Sequence, residues 1–262
     1  MKVKTKKQKA IAATCAVAFW LLVWHVVSLC VGSELVLVSP VKVVQTLFTV
    51  IFDPDFLKTV WYSAARILGG FFTALTLGTV LGWVASRFWV VETLLRPITA
   101  VIKATPVASF IILVLLWFSG KNLSVIISML MVFPVIYMNV LEGIRSADKK
   151  LLEMAQVFRL SVSKKLLYIY LPAVAPFFVS ACSVSLGLCW KSGIAAEVIG
   201  TPDGSIGAVF YQAKIFLQTS ELLAWTVVVV AVSVAFEKLF MFLLRLVLKK
   251  LKMEDVLNGK RA

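Results

Sequence analysis

Long apolar runs separated by short polar stretches dominate the order of residues along this chain, and five windows carry an unbroken apolar pattern. They run from Ala10 to Val31, from about Val60 to Ala85, from about Leu123 to Leu141, from beyond Pro172 and Pro176 to about Ile199, and from about Leu222 to Phe242. Each meets the roughly 20 apolar residues that a helix needs to cross about 30 Å of hydrocarbon. A sixth window, Leu94 to Phe118, is interrupted by Pro97 and Pro106, so a broken or kinked span is expected there. The first run is too long for a signal-peptide core and is followed by no small-x-small cleavage site, so it is expected to be retained. The pattern therefore predicts an all-α, polytopic membrane protein with six transmembrane helices.

Composition sharpens this picture. Of 262 residues 61% are hydrophobic and 15% charged, with a mean hydropathy of +0.96, which is far from soluble globular usage. The net charge of +14 would suggest a nucleic-acid partner in a soluble chain. Its placement excludes that reading. With the N-terminus inside, twenty of the 27 cations fall on the cytoplasmic side and only Lys42, Lys58, Lys121 and Lys214 outside, while Arg66, Lys191 and Lys238 lie within spans. Cations near span ends stay cytoplasmic, so both termini are expected in the cytoplasm of a multi-pass cell-membrane protein. Trp61, Tyr62, Trp117, Phe118 and Trp225 at outer span ends, with Trp83 and Trp89 at an inner one, match interfacial aromatic belts.

Candidate chemistry is sparse. Cys15, Cys30, Cys182 and Cys189 lie in apolar runs without C-x-x-C spacing and read as small buried hydrophobes, so no metal site is expected. The single histidine, His25, excludes H-E-x-x-H zinc chemistry and reads as a packed or interfacial residue, and no phosphate-cradling G-x-x-x-x-G-K-[ST] occurs. The motifs of intramembrane acid, serine and phosphotransfer enzymes are absent as well, and no catalytic residue is expected. A secondary transporter would show matching halves, which this chain does not.

Gly70, Ala74, Gly78 and Gly82 recur every fourth residue and leave one helix face without bulk, for packing within the chain or for a seam between copies. From Glu142 to Leu171 runs the longest interior polar stretch, on the cytoplasmic side. Ser146 or Asp148 can cap a helix there, and Leu151, Leu152, Ala155, Val157 and Phe158 recur at helical spacing. Such a helix either rests on lipid headgroups or docks a cytoplasmic partner.

Glu153-Met154-Ala155, followed by Leu171-Pro172-Ala173, resembles the EAA loop of binding-protein-dependent ABC importer permeases, with Met154 at the second position and Arg159 where the family carries glycine. Pro40-Val-Lys-Val-Val, Thr105-Pro106 and the stretch from Trp190 through Glu197 and Gly200 to Gly204-Ser-Ile-Gly207 are similar to the nitrate, sulfonate, taurine and thiamine-precursor branch. The resemblance implies a type I ABC importer permease fold with a cytoplasmic coupling helix. Its transmembrane domain would span 58–245, with a coupling loop at 144–172, an extracytoplasmic connection at 32–57, a first helix at 10–31 and basic tails at 1–9 and 246–262. It also implies a homodimeric pathway, an extracytoplasmic solute-binding protein and a cytoplasmic ATPase that itself binds ATP, so this chain needs no cofactor. The ATPase would dock through Glu153, Met154, Ala155, Phe158, Arg159, Leu160, Leu171 and Pro172. An energy-coupling-factor transmembrane component is a rival, but its two Ala-Arg-Gly-like helices are not found.

Ionisable groups inside spans cost a few kcal/mol or more and are candidates for function. Lys191 and Glu197 are six apart, about 240° around a helix, so they do not share a face. One reading puts Trp190 and Lys191 beside the translocation path, with the cation attracting an anionic solute and Glu197 bracing the outer gate; in the other, Lys191 snorkels or pairs with another span. Arg66 is expected to snorkel, Glu237 and Lys238 to form an interfacial pair, and Pro134 with Asn139 to mark a packing kink.

Overall fold

The computed structural model describes residues 6–251; the expectations for the outermost tails, including Lys2, Lys4, Lys252, Lys260 and Arg261, fall outside them. Among the described residues the chain is helical: α1 Lys6–Val31, α2 Pro40–Ile51, α3 Phe56–Arg87, α4 Trp89–Ala104, α5 Val107–Trp117, α6 Gly120–Arg145, α7 Lys149–Val157, α8 Val162–Lys165, a π-helical turn Leu166–Tyr170, α9 Leu171–Gly200, α10 Ile206–Ile215 and α11 Thr219–Lys250. Five stretches are long and apolar enough to cross a membrane, and the α4–α5 pair makes a sixth if counted as one span.

That pair bends by 110° at Thr105-Pro106. Pro106 clashes with a helical conformation of the residue before it, and Thr105 accordingly sits at φ −80°, ψ 133°. Pro97, flagged equally by the sequence, lies inside α4 without ending it. Pro172 likewise does not end a segment. It stands in the first turn of α9, which continues without a break from the π-helical turn, so the fifth span begins well before its expected start. The wider π turn gives the proline ring room that an α turn would deny it. Short helices α2 and α10 also form where only connections were expected. Ser39 accepts from the Lys42 amide and Pro40 opens α2, a start signal present in the sequence.

Two compact units divide the chain. The first holds residues 1–58 and 209–229. Within it the Thr219 hydroxyl donates to the Leu35 carbonyl at 2.8 Å, and Trp225 packs against Phe56 with ring centroids 5.6 Å apart. Trp225 is thus a packed residue and not part of an exposed aromatic belt, whereas Trp61, Trp83, Trp89 and Trp117 are exposed. Cys15 and Cys30 are exposed on α1, contrary to expectation. A helix that meets lipid has no need to bury its apolar side chains against protein.

The second unit holds residues 59–208 and 230–262. Its centre is the packing of α3 and α9 on α6. A Cβ at Gly70 would stand 2.8 Å from Ser128 Cβ, one at Gly78 2.9 Å from Ile136 Cβ, and one at Gly82 3.0 Å from Val140 Cβ. With Ala74 fully buried, this stripe faces the interior of its own chain. Gly193 on α9 fits equally closely against Ile67 of α3 and Ser128 of α6. Buried Cys182 and Cys189 lie on α9, and Phe240 of α11 meets Phe71 edge-on at 5.2 Å. Pro134 stays inside α6, where Asn139 Nδ2 donates to the Val135 carbonyl at 2.8 Å.

Candidate functional site

The polar stretch after α6 folds into α7, and of the two candidate caps Asp148 is the one used: its carboxylate accepts from the Lys150 amide at 2.9 Å. One side of the helix is anchored. Ala155 is fully buried with Ala147, Ile169 and Ala173, and Leu152, Leu160 and Tyr170 pack around them. The rest of its apolar surface is open, with Met154 46%, Val157 78% and Phe158 71% exposed and Glu153 exposed beside them.

The end of α7 follows from hydrogen bonding. The Leu160 amide donates to the Ala155 carbonyl at 2.9 Å and the Arg159 amide to the Gln156 carbonyl at 3.1 Å, the paired bonds of a Schellman stop. This motif needs a left-handed residue, and Arg159 supplies it at φ +48°. The position is therefore one at which glycine is free of strain and arginine is strained. Leu160, the next residue, turns back onto the Ala155 cluster. Leu171 packs with Ala175 and Leu248, and Pro172 is half-buried beside it, so these two tie the far end of the loop to the helix bundle and do not extend the open surface of α7.

The stretch from Trp190 to Gly207 separates its charged groups. Lys191 is exposed, whereas Trp190 is buried with its indole N–H unpartnered among the described residues. Glu197 is fully buried, and its Oε2 accepts from the Ser63 hydroxyl of α3 at 2.6 Å and from the Gly207 amide at 3.3 Å. Ser63 Oγ in turn accepts from the Ile206 amide at 2.9 Å, and Ser205 Oγ from the Ala208 amide at 3.0 Å. The carboxylate thus holds the amino-terminal turn of α10, where free amides and the helix dipole favour an acceptor. Gly207 packs so close to Glu197 that a Cβ there would overlap it. Ser63 and Ser205 escaped the sequence reading. A lone serine in an apolar run is ambiguous, although Ser205 just ahead of an apolar stretch has the form of a cap.

Other in-span charges settle locally. Arg66 stacks over the Tyr62 ring at 4.5 Å. Glu237 accepts from the Ser183 hydroxyl at 2.9 Å instead of pairing with Lys238 as expected. His25 is partly buried, with Nδ1 unpartnered among the described residues.

Membrane-length helices, one broken span and an exposed amphipathic helix between α6 and α9 define a polytopic, all-helical membrane protein. Residues 74–253 match the family described as the inner membrane component of binding-protein-dependent transport systems, and the chain belongs to that family. Relatives include an aliphatic sulfonates transport permease protein of Bacillus subtilis, 29% identical over 80% of this chain and 77% of its own. The taurine transport system permease protein of Escherichia coli is 27% identical over 82% and 80%, and the nitrate import permease protein of Synechocystis 26% over 78% and 76%. A crystal structure of an amino acid ABC transporter shares the fold, with a TM-score of 0.53 at 16% identity, over 74% of this chain and 96% of that one. The protein is thus a multi-pass membrane permease with the type I importer fold.

Proposed function

We propose that this chain is the permease subunit of an ATP-driven importer for a small anion of the sulfonate, taurine or nitrate kind. Two copies form the pathway, an extracytoplasmic binding protein delivers the solute, and a separate cytoplasmic ATPase supplies the energy. Both termini lie in the cytoplasm. The observation that carries the reading is α7: its anchored side fixes it to the helix bundle, while Met154, Val157 and Phe158 stay uncovered. An exposed apolar surface next to a charged Glu153 suits a protein partner, whose desolvated aromatic and methionine contacts hold interfaces together. The names of the relatives support the anion class, and so does exposed Lys191, a cation available to a solute where Glu197 is not. Glu197 braces α10 against α3.

Co-expression with the ATPase tests the docking role: Glu153→Arg should release the ATPase from the purified complex, and full retention with intact transport-coupled hydrolysis would refute it. Uptake of radiolabelled taurine, ethanesulfonate and nitrate into proteoliposomes tests the solute class. Lys191→Gln should raise the half-saturating concentration, and unchanged uptake would remove the anion role.

A further inference from the structure

Four charges lie together where α4 and α6 meet just ahead of α7. Glu92, in the first turn of α4, is ion-paired to Arg145, the last residue of α6. Each favours its helix end by the sign of the macrodipole. Arg96 and Glu142 line the same cavity of about 230 Å³, and neither takes part in an ion pair among the described residues. Tyr137, only 3% exposed, also borders this cavity, and its buried hydroxyl has no hydrogen-bond partner among the described residues.

The sequence spacing gives the pair an alternative. Glu92 and Arg96 are four apart on α4, and Glu142 and Arg145 three apart on α6, both spacings at which opposite charges on one helix meet. If the two helices separate, Glu92 can turn to Arg96 and Arg145 to Glu142, so no charge is left alone. Once they separate, water from this cavity can reach the Tyr137 hydroxyl. Apolar packing of Val91 and Leu95 against Tyr137 and Leu141 persists through small sliding motions because it is not directional. Only two residues separate Arg145 from the Asp148 cap of α7, and one of them, Ala147, is buried with Ala155. Displacing α7 therefore pulls on Arg145, and through Glu92 on the helix that leads to the 110° break.

We propose that Glu92, Arg96, Glu142 and Arg145 form a charge-exchange latch. The pair between helices, Glu92 with Arg145, holds the resting arrangement, and the two pairs within helices hold the arrangement reached when a partner moves α7. This rests on the docking role given to α7 above. The four side chains are positioning residues and do not contact solute.

The test uses the complete transporter, with its ATPase and binding protein, in proteoliposomes. Glu92→Gln removes the resting pair between helices and costs the displaced arrangement only the weaker pair within α4, leaving Arg145 with Glu142, so ATP hydrolysis without binding protein should rise about twofold or more. The double reversal Glu92→Arg/Arg145→Glu keeps the pair between helices but sets like charges against Arg96 and Glu142. It should return that hydrolysis to its original level while transport stays low. Reversing all four charges should restore transport as well. The latch is overturned if Glu92→Gln leaves unstimulated hydrolysis unchanged or loses the bound ATPase. It is equally overturned if the double reversal behaves like Glu92→Gln, or if the fourfold reversal fails to restore transport. Failure of the docking role would show separately, as ATPase retained by Glu153→Arg.

Discussion

Replacing Arg159 with glycine should stabilise the end of α7, although it removes the larger side chain. In the left-handed region a residue with a Cβ loses about 1–2 kcal/mol relative to its right-handed form, and Arg159 sits there at φ +48°. Glycine removes that penalty but brings about 0.5–1 kcal/mol of extra backbone freedom in the unfolded chain. Arg159 is exposed and takes part in no ion pair among the described residues, so little else is lost. The net gain should be about 0.5–1 kcal/mol, which slows local opening about two- to fivefold. Amide hydrogen exchange at Arg159 and Leu160, whose N–H groups close the Schellman stop, reads that opening directly. Arg159→Ala supplies the control, because alanine keeps the Cβ and should show no such slowing. Exchange in the glycine variant as fast as in the alanine variant would refute the argument that strain at this turn is real and local.

Three further outcomes follow from the same geometry. Gly78→Ala should lower the unfolding temperature, since its Cβ would stand 2.9 Å from Ile136 on α6 and overpacking costs about 1–3 kcal/mol; Gly69→Ala, with nothing within 4 Å, should not. Glu197→Ala leaves the Ser63 hydroxyl and the Gly207 amide without their acceptor, at a cost of about 1–3 kcal/mol for each buried group, and should speed exchange at Ile206 and Gly207 ahead of the rest of the fold. Phe158→Ala, at a side chain 71% exposed, should leave thermal stability within about 0.5 kcal/mol of the parent while weakening co-purification of the ATPase.

The class of the protein was legible from the order of residues because a membrane imposes a length and a hydropathy on every helix that crosses it. A break in the stretch holding Pro97 and Pro106, and the cap of α7, were legible for an equally local reason: proline geometry and side-chain capping act over a few residues, as they do at the start of α2, which went unread. The resemblance places the family's glycine at position 159, and the left-handed turn that Arg159 makes there is its physical content.

What the order of residues left open were questions about distance. A stripe of small residues packs equally well within one chain or between two, and only the fit of Gly70, Gly78 and Gly82 against α6 decided for the first. Lys191 and Glu197 look alike as in-span charges, yet one is exposed and the other is held by Ser63, 134 residues away, and by the start of α10. Glu92 and Arg145, 53 residues apart, carry no local signal of their meeting. Helix formation depends on neighbours along the chain, whereas a buried hydrogen bond or ion pair depends on which helices the packing brings together, and no window of sequence contains both partners.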